Sequence, residues 1–229
     1  MTSPITCISS MATRHILNEL AALCEQRTGR ALAVRSLGGV EAAKLVRAGE
    51  AVDIVLLASG PMEKLEAEGR LAAGSRTAFA RSDIALAVPS SRPAPDVSSE
   101  AAVREAVSSA TRLCYSTGPS GDHLMRLLER WGLAAGMADR LLQAPPGVPV
   151  GSLVAKGDAD LGFQQYSELV NIPGITVVGG LPAAVQSTTV FTAGVAAASP
   201  DADGARAVIA FLMSAEADPV KRRHGMEPA

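Results

Sequence analysis

Short apolar runs alternate along this chain with segments of helical period, and turns of small residues follow several of those runs. Residues 53–57 are almost continuously hydrophobic, the pattern of a strand buried on both faces of a parallel sheet. Further strands are predicted at 5–8, 32–36, 84–88, 113–115, 160–163 and 175–178, with a long apolar run at 189–198. Apolar residues recurring at helical spacing predict helices over 12–26, 41–47, 61–68, 100–107, 122–131, 151–156 and 203–213. Strands separated by helices imply an α/β architecture with parallel sheets. Ligands of such folds bind beyond the carboxyl ends of the strands, where strand order reverses.

That edge is where the most informative residues fall. Tyr115-Ser116-Thr117-Gly118-Pro119-Ser120-Gly121-Asp122-His123 joins a strand to a helix through small, hydroxylated and helix-starting residues. A helix that begins on Gly and Ser points free N–H groups and a partial positive charge outward, which suits a small anion. Ser9-Ser10 and Gly38-Gly39 occupy equivalent strand-to-helix positions, so three helix starts should gather at one kind of edge. One of Ser9 and Ser10 is expected to cap its helix, leaving the other hydroxyl for an anionic oxygen. Gly38-Gly39 reads as a tight turn. It lacks the third glycine and the ribose-binding acid of a dinucleotide site, and the 118–121 segment lacks the Lys-Ser/Thr pair of a phosphate loop.

Charge and composition narrow the partners. Charged residues make up 19% of 229 and the net charge is −2, without the basic stripe of a nucleic-acid binder. Aromatic residues are 3%, too few for base or sugar stacking to dominate binding. Cys7, Cys24 and Cys114 form no CxxC pair and lie in periodic apolar segments, so they are expected to be buried free thiols. The first twelve residues show neither a basic segment nor a long apolar one, which gives a cytoplasmic expectation. No apolar stretch approaches the ~20 residues that span a bilayer, so no membrane insertion is expected.

The remaining polar candidates are few. His123 is expected in the first turn of its helix, where the dipole favours a neutral ring able to act as a base. Gln164 and Gln165 follow a strand, and an amide can donate to a carboxylate and accept from a hydroxyl. Arg81 stands at a strand edge, where a guanidinium can grip a carboxylate in two places. Three scattered histidines with no ligand spacing predict no metal site, and there is no Gly-x-Ser-x-Gly nucleophile turn.

Four stretches in order carry a resemblance: 5–29, Val46-Arg47-Ala48-Gly49-Glu50-Ala51-Val52-Asp53, Gly147-Val148-Pro149-Val150-Gly151-Ser152-Leu153, and 211–228. Over essentially its whole length the chain resembles the type II periplasmic solute-binding proteins of the molybdate-binding kind. The resemblance implies a two-lobed α/β fold, with two parallel-core sheets joined by crossover strands at 83–88 and 186–191 and the ligand in the cleft. Lobe one would be 1–82 plus 192–229 and lobe two 83–191. By position Ser9 or Ser10, Gly38-Gly39, Ser120, Pro149-Val150 and Gln165 would hold the ligand. Arg81, Ser116, Gly121 and Gln164 complete the candidate substrate-binding set.

Two positions depart from that family pattern. Gly38-Gly39 stands where molybdate binders place a serine, and Gln165 where they place a tyrosine. Lost hydroxyls and added glycines make room for more than a tetrahedral oxyanion and suit planar carboxylates. The pattern is similar to a subgroup that includes aconitate isomerase, which implies a 1,3-allylic proton shift between cis- and trans-aconitate with no cofactor. His123 is the best-placed base, with Glu168 and Tyr166 behind it. The alternative is a receptor for molybdate or another small anion, with an ABC permease as its partner. In either case the expected ligand is a small anion, under the first reading a di- or tricarboxylate.

Overall fold

In the computed structural model, which describes residues 3–229, the chain begins with β1 (Ile5–Ser10), a single 3-10 turn at Met11–Thr13, and α1 (Arg14–Thr28). β2 (Leu32–Leu37), α2 (Gly39–Arg47), β3 (Ile54–Ala58), α3 (Ser59–Ala67) and β4 (Thr77–Ser82) follow. The middle of the chain holds β5 (Ile84–Pro89), α4 (Glu100–Ser109), β6 (Leu113–Tyr115), α5 (Pro119–Arg130), α6 (Ala134–Met137) and β7 (Leu141–Gln143). Next come α7 (Val150–Ala155), β8 (Leu161–Gln165), α8 (Tyr166–Leu169) and β9 (Ile175–Gly180). β10 (Thr189–Val195), α9 (Ala202–Leu212), α10 (Asp218–Arg223) and β11 (Glu227–Pro228) complete it. These elements form two compact units, one ending at Arg81 and resuming at Thr189–Ala229, the other Ser82–Thr188.

The first unit is built on a sheet of order β11-β4-β10-β3-β1-β2. β1 pairs in parallel with β2 and with β3, Ser9 lying opposite Ser36 on one side and Leu56 on the other. β10 then runs antiparallel to β3, and β11 antiparallel to β4. Every residue of β3 is buried, as its unbroken apolar sequence requires. One face is covered by Ile16, Leu17 and Leu20 of α1 with Val208 and Leu212 of α9, packed with Phe79. Ala42, Val46, Met62 and Leu65 cover the other.

The second unit repeats the scheme with a sheet of order β7-β6-β8-β5-β9. β6 pairs in parallel with β7 and β8, and β5 runs antiparallel to both β8 and β9. Val103, Val107, Leu124, Leu128 and Phe163 fill one side, and Val150 and Val154 with Cys114 the other. Helix α4 starts on Ser99, whose Oγ accepts from the Ala102 N–H at 3.2 Å.

Each sheet therefore has three parallel strands at one end, β3-β1-β2 in the first and β7-β6-β8 in the second, with antiparallel pairing beyond them. The sheets are mixed and not parallel throughout, and the sequence pattern does not signal strand direction. β4, β7 and β11 also lie outside the predicted strands. β7 and β11 are too short to show a period, and in β4 only Phe79, Ala80 and Ser82 are buried. All three cysteines are free and buried, as expected. Burial pushes the Cys7 thiol up to about 12 and that of Cys114 to about 11, so neither supplies a thiolate nucleophile.

A buried carboxylate ties the first unit together. Asp53 Oδ2 accepts from the Thr6 N–H at 2.9 Å and the Thr6 hydroxyl at 2.7 Å, and Oδ1 accepts from Ser199 Oγ at 2.6 Å. One side chain thereby joins β1, the start of β3 and the segment after β10. Burial pushes the Asp53 pKa up, but the hydrogen bonds from Ser199 and Thr6 outweigh it and hold the group below its ordinary value. A carboxyl depressed in the folded state stabilises above its unfolded pKa, and that contribution is lost as pH falls through the folded one. Asp53→Asn, which leaves one of these donors unmatched, is expected to cost roughly 1.5–3 kcal/mol in urea unfolding at pH 7. The gap between mutant and wild type should close on acidification through pH 4 and below; a gap that persists there would refute the charge-based role.

Candidate functional site

In the first unit the candidate residues collect at the carboxyl ends of β1 and β2. Ser9 is fully buried and its Oγ lies 2.8 Å from Ser36 Oγ across the parallel pair. Ser10 stands at the N-terminal boundary of the 3-10 turn, yet neither it nor Thr13 caps a helix with its side chain. The expected serine cap is thus absent: the 3-10 turn separates Ser9 and Ser10 from α1 and makes Thr13 its cap residue. Thr13 Oγ1 donates back to the Ser10 carbonyl at 3.0 Å. Ser10 Oγ is buried without a hydrogen-bond partner. A buried hydroxyl in that state lacks the partner that such groups nearly always find.

Gly38 and Gly39 are not the turn the sequence predicts. Gly39 is already the first residue of α2, and Gly38 is its cap, with φ −56° and ψ 135°. Neither has a positive φ, and a Cβ built on Gly39 would meet nothing within 4 Å. Backbone conformation therefore demands glycine at neither position, and internal packing does not demand it at 39. Opposite Leu37, which precedes Gly38, stands Ser10 in the parallel register, so the start of α2 follows directly from the position paired with Ser10. Arg81 is separated from this group: it is on β4, with β10 and β3 between it and β1. It is exposed and its guanidinium donates to the Pro228 carbonyl at 3.2 Å.

In the second unit the run 115–123 folds differently from expectation at its centre. α5 begins at Pro119 rather than Asp122, with proline in its favoured first-turn position and Gly118 as cap. Ser116 Oγ lies 3.0 Å from Ser120 Oγ and also accepts from the Gly118 N–H at 3.2 Å. Pro119 has no N–H, so the groups this helix start can offer are those of Ser120 and Gly121. Gly121 is fixed by contact: a Cβ on it would sit 1.9 Å from the Ser116 carbonyl oxygen.

The earlier helix start moves His123 into the second turn, away from the strongest part of the dipole. Its Nε2 lies 2.8 Å from the Val185 carbonyl oxygen, and its ring is tilted against Phe163 at 6.4 Å between centroids. A carbonyl oxygen only accepts, so Nε2 carries the proton and Nδ1 is the nitrogen left with a lone pair in the neutral ring.

Pro149 precedes α7, and the Val150 N–H is taken: it donates to Gln164 Oε1 at 3.0 Å. The amide's other end, Nε2, donates to Glu168 Oε2 at 2.8 Å. Gln164 is thus held within the protein, whereas the sequence reading placed it in the candidate substrate-binding set. Gln165 is buried at the end of β8, next to the first turn of α8. Side chains alternate along a strand, so Gln165 shares a face with Phe163, and Gln164 lies on the other. Glu168 keeps part of its surface exposed, yet burial of its carboxyl pushes it up to about 7. No sequence pattern signals that shift, since the burial behind it arises from packing of α8 against other elements. Among the described residues no three His, Cys, Asp or Glu side chains are grouped to hold a metal.

With this geometry in view, comparison with known proteins is direct. A family described as "Bacterial extracellular solute-binding protein" matches residues 5–227. The chain belongs to that family. This solute-binding family member is 34% identical over 231 aligned positions to an aconitate isomerase of a Pseudomonas species, covering 98% of this chain and 87% of that one. The periplasmic molybdate-binding protein of Azotobacter vinelandii superposes with a TM-score of 0.81 at 19% identity, covering 97% of this chain and 98% of that one. A periplasmic thiamin binding protein superposes at 0.79 and 16% identity, covering 100% and 84%. The fold is that of the type II periplasmic binding proteins. No helix among the described residues is long and apolar enough to cross a membrane.

The Gly121 contact gives a test of how α5 is seated. Gly121→Ala must displace the Ser116 carbonyl and is expected to lower unfolding stability by roughly 1–3 kcal/mol. Gly39→Ala, with open space around it, should change stability by less than about 0.5 kcal/mol either way. Equal losses in chemical denaturation would refute the assignment of Gly121 to a packing constraint.

Proposed function

We infer that this protein is an isomerase of the aconitate type, moving the double bond of a small di- or tricarboxylate by a 1,3-allylic proton shift. The observation that carries the reading is the nearly full-length 34% identity with an aconitate isomerase. In the reaction a base removes a proton from the carbon next to the double bond. The electron pair moves into the adjacent π system and its carboxylate, and a proton returns at the far carbon, so the double bond migrates with no net change in composition.

The chemistry present supports each requirement. Developing negative charge needs preorganised donors. The N–H groups of Ser120 and Gly121 and the hydroxyls of Ser116 and Ser120 are such donors in the second unit. In the first, Ser10 Oγ and the start of α2 play that part, and the open space around Gly39 suits a group larger than a tetrahedral oxyanion. His123 is the base in this reading: the Val185 carbonyl holds the proton on Nε2 and leaves Nδ1 to accept one. A cytosolic location belongs to the same reading, carried by three free buried thiols, and fractionation of cells expressing the native gene tests it.

Purified protein incubated with cis-aconitate in D2O should yield trans-aconitate by proton NMR. His123→Gln is expected to lower kcat by about 10²-fold or more with little change in KM, the loss typical of a general base. Tight carboxylate binding without conversion would sink the isomerase and leave a solute receptor. A thermal shift with molybdate alone, and none with either aconitate, would turn the ligand class back to oxyanions.

A further inference from the structure

The pair Gln164–Glu168 is left over from the chemistry above, and its surroundings are unusual. α8 packs against α7, β5, β8 and β9. Their sequences, Val-Gly-Ser-Leu-Val-Ala, Ile-Ala-Leu-Ala-Val-Pro, Leu-Gly-Phe-Gln-Gln and Ile-Thr-Val-Val-Gly-Gly, contain no ionisable side chain. On α8 itself the only other ionisable residue is Tyr166, and Lys156 lies beyond the C-terminal end of α7, away from Val150. Among the described residues, none of these four elements therefore brings a counter-charge to the Glu168 carboxyl.

Its hydrogen bonding is directional. A carboxamide has one accepting end and one donating end. Gln164 Oε1 is committed to the Val150 N–H, so Nε2 is the end that meets Glu168, and Glu168 must accept. Ionised, Glu168 accepts a charge-assisted bond that fixes the amide and, through it, the first residue of α7. Protonated, it is a weaker acceptor, and a proton placed on Oε2 would oppose the Nε2–H donor outright. The charge state of one carboxyl is thereby transmitted across two hydrogen bonds to the Pro149–Val150 turn.

We propose that Glu168 is a proton-linked positioning residue, coupling the Pro149–Val150 turn, through Gln164, to the binding of an anion at the carboxyl edge of β8. Glu168 follows Gln165, the last residue of that strand, by three positions. A multiply charged anion arriving there faces a desolvated carboxyl with nothing to offset it, and the carboxyl takes up a proton. Burial already holds that carboxyl at about 7 before any anion arrives. With the bound state raised further, affinity is greatest below pH 7 and falls as pH rises through 7 and above. Each unit by which the anion raises the pKa corresponds to tenfold weaker binding of the ionised form. The ligand half of this inference rests on the carboxylate reading given above; the hydrogen-bond relay does not.

Two measurements on the full chain separate the halves. The first follows the Val150 amide and the 13C-labelled glutamate carboxyls by NMR from pH 5.5 to 8.5 without ligand. Val150 and Glu168 should share one midpoint near 7, and Glu168→Gln, which keeps an accepting oxygen for Gln164, should leave Val150 flat. Unequal midpoints in the wild type would overturn the relay even if the variant failed to fold. The second measures cis-aconitate binding calorimetrically over pH 6.5–8.5 in buffers of different ionisation enthalpy. Wild type should take up a fraction of a proton and lose at least about threefold in affinity between pH 7 and 8.5, whereas Glu168→Gln should not. Titration of the ligand's own carboxyls is common to both proteins, so equal slopes would overturn the linkage. A shared NMR midpoint with no aconitate binding at any pH would instead overturn the isomerase reading and leave the relay standing.

Discussion

Parallel pairing of one strand with two neighbours is the constraint on which the rest of this structure depends. β1 lies between β2 and β3, and β6 between β7 and β8. In each trio the carboxyl ends emerge together, and each connection must cross a face of the sheet before returning. The chain goes first to one side of the central strand and then to the other, so a switch point opens between β1 and β3 and again between β6 and β8. An antiparallel strand sits next to the third strand in each case, β10 beside β3 and β5 beside β8. One plan thus occurs twice with no sequence repeat to announce it, and each copy delivers helix starts to one edge of its sheet.

Local chemistry then distinguishes the two edges. In the first unit, short hydroxyl side chains dominate: Ser9 meets Ser36, and Ser10 keeps a buried oxygen without a partner. Asp53 in the same unit is fully engaged, with three donors around its carboxylate. In the second unit the edge is more crowded. Gly121 lets the first turn of α5 press onto the Ser116 carbonyl, and Gln164 uses both ends of its amide inside the protein.

Strand and helix alternation was legible because burial on both faces leaves an unbroken apolar signature, as in β3. What eluded the pattern is short or irregular: β7 and β11 have no room for a period, and β4 mixes Arg81 with Phe79. Helix starts were misjudged at Gly38-Gly39 and at 118–121, where glycine and proline read as a turn although both segments are helical from Gly39 and Pro119 onward. At Gly121 the glycine answers a tertiary contact, which no local rule encodes. Ser9, Ser10, Ser116 and Ser120 were found by position, whereas Ser36 was missed because its partner stands on a neighbouring strand. The environment of Glu168 was invisible for a related reason. Its raised pKa comes from burial, and tertiary burial of one carboxyl in a four-residue helix leaves no local mark in the sequence.

The placement of β10 and β11 governs the order in which the protein can come into being. β4 has only those two strands as neighbours, and both belong to the final stretch, Thr189–Ala229. On a growing chain, β4 and the outer edge of β3 wait without partners while the whole of Ser82–Thr188 is synthesised. The second unit, being continuous, is free to close first. An unpaired edge invites association with other chains. The first unit therefore spends most of its synthesis as an incomplete sheet, and its fate during translation is decided by the last strands to emerge.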